Sequence, residues 1–98
     1  MVEYLYDAIR AVAGLEIKIE AYITDENENF ITEGCSFVLH DGAGTKMLLR
    51  KNGSYNSETM NWEFVLDPEE TKDLNGRYMY CIQHNDSNLC FKQPIYLV

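Results

Sequence analysis

Between Asn61 and Tyr80 the sequence lays out two strands and the link that joins them. Trp62, Phe64 and Leu66 recur with period two, the pattern of a strand with one buried face. Asp67-Pro68-Glu69-Glu70 follows with a capping residue, a proline at the first helical position and a glutamate three residues after the cap. That spacing predicts a single helical turn closed by a capping box. Gly76 supplies the exit, after which Tyr78, Tyr80 and Ile82 resume the period of two. A helical turn that joins two core-facing strands, followed at once by a tyrosine, is the corner at which a β-sandwich chain passes from one sheet to the other.

The rest of the chain supplies more short strands. Leu15, Ile17, Ile19, Ala21 and Ile23 alternate with Glu16, Lys18, Glu20 and Tyr22, which predicts a half-buried strand. Ahead of it, Val2, Leu5, Ile9 and Val12 fit a helical stripe, yet Ile9 to Val12 fit an extended segment equally well. An extended segment is preferred, because Gly14 stands where a bend lets one long segment pass between sheets; a short amphipathic helix is the alternative.

Asp25-Glu26-Asn27-Glu28-Asn29 reads as a polar turn, and Cys35, Phe37 and Leu39 as one face of the next strand. Asp41 to Thr45 suits a three-residue hairpin loop with glycine in the left-handed position, which sets Leu39 opposite Met47 and Phe37 opposite Leu49. Asn52-Gly53 reads as a second, two-residue hairpin leading to a short edge strand, and Asn85-Asp86 as a third. The last pairs Ile82 with Leu89, Tyr80 with Phe91 and Cys81 with Cys90. About seven strands with a turn every 8 to 12 residues predict one domain over residues 1–98: an all-β, immunoglobulin-like antiparallel sandwich with one helical turn near 68–74.

Composition limits function. Sixteen acidic residues against eight basic give a net charge of −8, spread along the chain with no basic stripe in the sequence. Nucleic acid and anionic membranes are therefore not expected as partners. No apolar run approaches the roughly 20 residues of a membrane-spanning helix. Met1 to Asp7 lacks the basic and apolar regions of a secretory signal, so the chain is expected to be cytoplasmic when synthesised. Three cysteines, an odd number, fit a reducing compartment, and Asn52-Gly53-Ser54 and Asn85-Asp86-Ser87 are read as turns rather than glycosylation sites.

No cofactor, metal or small-molecule substrate is expected. Asp25, Asn27 and Asn29 have the opening spacing of a calcium loop, but Phe30 stands where that loop needs glycine and Ser36 where it needs glutamate. His40 and His84 stand alone near strand ends and are expected at the surface. Cys35 and His40 lie an odd number of residues apart on one strand, so their side chains leave opposite faces and form no catalytic pair. The expectation is a non-enzymatic module. Its candidate interaction surface comprises Met79, Cys81, Cys90 and Lys92 on the outer face of the final hairpin, together with the tyrosines Tyr22 and Tyr55.

Several features taken together resemble the small immunoglobulin-like modules at the N-termini of phage baseplate upper proteins and related tail components of phages and prophages. They are Gly14 ahead of the Glu16 to Ile23 strand, the Thr24-Asp25-Glu26-Asn27 turn, Trp62-Glu63-Phe64, Glu70-Thr71, and Leu74-x-Gly76-x-Tyr78-x-Tyr80-x-Ile82. The resemblance implies a structural, virion-associated role with a protein partner, either another copy or another particle protein. Two other readings fit a small acidic sandwich: a carbohydrate-binding module, if Tyr22 and Tyr55 form one flat platform, and an inhibitor of a host protein that mimics nucleic acid.

Overall fold

The computed structural model describes residues 2–5, 8–89 and 92–98. Strands β1 (Val2–Leu5), β2 (Ala8–Ala11), β3 (Ile17–Ala21), β4 (Cys35–His40), β5 (Met47–Asn52), β6 (Ser54–Asn56) and β7 (Asn61–Leu66) precede a helical turn α1 (Pro68–Thr71). Strands β8 (Gly76–His84), β9 (Ser87–Asn88) and β10 (Gln93–Leu97) follow it. One sheet runs β1-β2-β10-β8-β4-β5, with β9 paired to β8, and the other runs β3-β7-β6. This is the two-sheet arrangement of an immunoglobulin-like sandwich, with β5 as the added edge strand of the larger sheet.

The N-terminal segment is extended, as preferred, but it forms two strands. Val2 pairs with Ala11 and Leu5 with Ala8, while β2 runs parallel to β10 so that Ile95 meets Ile9 and Leu97 meets Ala11. Gly14 makes the bend after β2 at φ +82°, a left-handed conformation open to glycine, and its N–H donates to Thr71 Oγ1 at 3.0 Å.

Period-two burial then fills the space between the sheets. Ile17, Ile19, Trp62, Phe64 and Leu66 from the smaller sheet pack against Ile9, Phe37, Leu39, Ile95 and Leu97 from the larger. Register agrees: Ile17 lies opposite Leu66, Ile19 opposite Phe64 and Ala21 opposite Trp62. Phe64 stacks on Trp62 and Phe37 on Tyr80. Leu15, one step before β3, falls outside this core and is exposed.

At the crossover, α1 forms where the sequence placed it. Glu70 accepts the Asp67 N–H at 2.8 Å, the reaching-back half of the capping box, and Lys51 clamps Glu70 from across the sandwich at 2.9 Å. Asp67 contributes its carbonyl to the Glu70 N–H and a looser carboxylate contact to Lys51. The expected tyrosine corner is present: Tyr78 accepts the Asn75 N–H on its hydroxyl at 3.2 Å.

Two turns differ from expectation. In the β4–β5 hairpin Leu39 pairs with Leu49 and Phe37 with Lys51, two residues away from the expected register. The Asp41 carboxylate gathers the N–H groups of Thr45 and Lys46, which draws more residues into the loop, and a register shift at Leu39/His40 absorbs them. Gly44 does take the left-handed position, at φ +73°. Asn52-Gly53 is no hairpin. Gly53 donates to the Cys35 carbonyl as a continuation of β5, and there the chain crosses to the smaller sheet, where β6 is an edge strand. The Trp62 and Phe64 rings press on Gly53 so closely that a side chain has no room.

Candidate functional site

The centre of the larger sheet's outer face is closed. Both faces of β4 are buried from Cys35 to His40, the outward residues Ser36, Val38 and His40 included. Register sets Val38 opposite Cys81 and His40 opposite Met79. Cys81 has no exposed surface, and its sulfur lies 3.7 Å from His40 Nε2 and 3.6 Å from Asn88 Oδ1. Lys92 lays its stem beside Gly44 and donates its ammonium to the Gly44 carbonyl.

These positions correct part of the predicted surface. Cys81 is interior and cannot itself meet a partner. Met79 is half-buried, Lys92 is exposed, and Cys90 lies outside the described residues, as does Phe91. Asn85-Asp86 is a two-residue turn with both residues at positive φ, and the Leu89 N–H reaches the Ile82 carbonyl as expected. The chain then shifts by two residues, so that Gln93 rather than residue 91 faces Tyr80.

His40 is likewise interior where a surface histidine was expected, since alternation cannot reveal a strand covered on both faces. Burial and the nearby Lys92 charge hold its pKa below the ordinary imidazole value, with Asp41 opposing, and Nδ1 has no hydrogen-bond partner among the described residues. Burial pushes the Cys35 thiol in the opposite direction, above its ordinary value.

Tyr22 and Tyr55 do not share a platform. Tyr55 lies opposite Trp62, on the core side, and packs on its ring at 5.9 Å. Tyr22 leaves the other face and is 69% exposed. Tyr22 instead meets Phe30, 42% exposed, at 6.2 Å between ring centroids, and Leu89 stands beside it across a cleft of about 300 Å³. Ala21, Ile23 and Ile82 floor the cleft.

Local chemistry holds this cluster open. Asp25 accepts the N–H groups of Asn27 and Asn29, Glu28 takes φ +65°, and a bridge between Thr24 and Phe30 turns the Phe30 ring back toward Tyr22. The Asp25 carboxylate thus serves the loop. Among the described residues no group of three or more His, Cys, Asp or Glu side chains is placed to hold a metal ion. Phe30 and Leu89 were not singled out from the sequence, although an apolar residue closing a polar turn is a usable signal. No family model, curated protein or solved structure matches the chain.

Proposed function

We propose that this chain is a non-enzymatic immunoglobulin-like module of a phage or prophage particle, which packs against another particle protein through the loop end that bears Tyr22, Phe30 and Leu89. The observation that carries the reading is that exposed cluster. Tyr22 packs on Phe30 and borders an apolar cleft together with Leu89, and contact surfaces favour rigid aromatic anchors set in pockets. The reading also requires an immunoglobulin-like sandwich, and the strand order and the tyrosine corner supply one. The test is to tag the chain in its native genomic context and band particles on a density gradient. The reading expects the chain in the particle band and its loss from the band in a Tyr22→Ser/Phe30→Ser/Leu89→Ser variant that still folds. A wild-type chain absent from the band, or one that instead selects glycans on an array, contradicts it.

A further inference from the structure

Two arginines stand in one row on the outer face of the larger sheet, although the chain as a whole is acidic. On the larger sheet Tyr96 lies opposite Arg10 on one side and Arg77 on the other, so an arginine-tyrosine-arginine row crosses β2, β10 and β8, with Glu3 of β1 opposite Arg10 at its edge and the Arg77 guanidinium donating to the Gly42 carbonyl at 3.3 Å. All three side chains are exposed and point away from the core, as the burial of Ile9, Ala11, Ile95 and Leu97 on the alternate positions requires. Two strand spacings, about 10 Å, separate the arginine positions. Arginine and tyrosine are the residues most often found as binding hot spots.

The smaller sheet shows the converse. Glu20 lies directly opposite Glu63 on its outer face, an arrangement that repulsion disfavours, and Lys18 bridges the two at 3.7 and 3.4 Å. One lysine against two carboxylates leaves a negative face. The molecule measures 37 × 27 × 22 Å, so a broad face spans at most about 1,000 Å², the same scale as the roughly 800 Å² per partner of a standard interface.

We infer that the Arg10–Tyr96–Arg77 row docks the Glu20/Glu63 face of a second copy of this chain. The inference rests on the reading as a particle module and names one of its partners. Such a contact joins two different surfaces, so it propagates head to tail and does not close as a two-fold dimer. Contact charges act within the roughly 8 Å screening length of physiological salt, while the repulsion between the net charges of whole molecules is screened beyond it.

The experiment is sedimentation velocity over a concentration series of the purified chain at about 0.15 M and about 1 M salt. The average mass should rise with concentration at the lower salt and lose that dependence at the higher. Arg77→Glu should abolish the rise, as should Arg10→Glu if the first variant folds poorly, and so should Glu63→Lys. Mixing the Arg77→Glu and Glu63→Lys chains should restore association. A wild-type chain monomeric up to about 1 mM, or assembly indifferent to these charge reversals, overturns the inference. A monomeric chain that still bands with particles removes this contact alone, whereas self-assembly without particle association removes the particle reading alone.

Discussion

Cys81 Sγ lies 3.7 Å from His40 Nε2 in the covered outer layer of the larger sheet, so the sandwich has a small second core outside its main one. His40 is kept neutral there by burial and by Lys92, with its pKa below the ordinary value near 6.5. The unfolded chain therefore binds a proton that the folded chain resists. Stability is full above the ordinary imidazole value and falls as pH drops from about 6.5 toward the lower folded value. Urea unfolding at pH 7.5 and 5.5 should show this loss, and His40→Gln should reduce the difference.

Trp62 anchors the main core. Its ring packs on Phe64 and Tyr55, and its indole N–H donates to the Ile31 carbonyl. Trp62→Ala is expected to lower stability by about 3–5 kcal/mol. Urea denaturation checks this, and a loss below about 1 kcal/mol contradicts the packing described.

At the crossover the glutamate matters more than the aspartate. Glu70 accepts the Asp67 N–H and pairs with Lys51, and both hold its carboxyl below the usual range. Glu70→Ala should destabilise by about 1 kcal/mol or more, and Asp67→Ala by less. Since the folded pKa is depressed, the Glu70 contribution is present above the ordinary carboxylate value and lost as pH falls below it. Equal effects of the two substitutions in a denaturant series would contradict this ranking.

Gly53→Ala tests the strand crossing. A methyl group there overlaps the Phe64 ring and comes within 2.8 Å of Trp62, so a loss of about 1–3 kcal/mol is expected. A neutral result by thermal unfolding would mean that the chain does not cross beneath those rings.

What the sequence revealed and what it hid follow from the same physics. Ile17 to Ile23 and Trp62 to Leu66 each have one face in the core, so period two displayed them, and capping chemistry displayed α1. The β4–β5 register was hidden because the Asp41 carboxylate lengthens the loop through contacts with the main chain. Asn52-Gly53 carries a hairpin signature, but Gly53 is needed for clearance under Phe64, which only the packed structure shows. Tyr22 was legible as exposed. Its partner Phe30 is returned to it by the fold of the Asp25 to Asn29 turn, and Leu89, distant in sequence, comes beside it only after the sheets pack.

The Tyr22–Phe30–Leu89 loop end is proposed to bind another protein of the particle. Gradient-purified particles from the native host should be cross-linked and analysed by mass spectrometry. With a carboxylate-reactive linker, intermolecular links to another particle protein are expected from Glu26 and Glu28, which lie in the turn between Tyr22 and Phe30. Both are expected to be lost in the Tyr22→Ser/Phe30→Ser/Leu89→Ser variant. Particles without the chain, or links unchanged by the triple substitution, would contradict it.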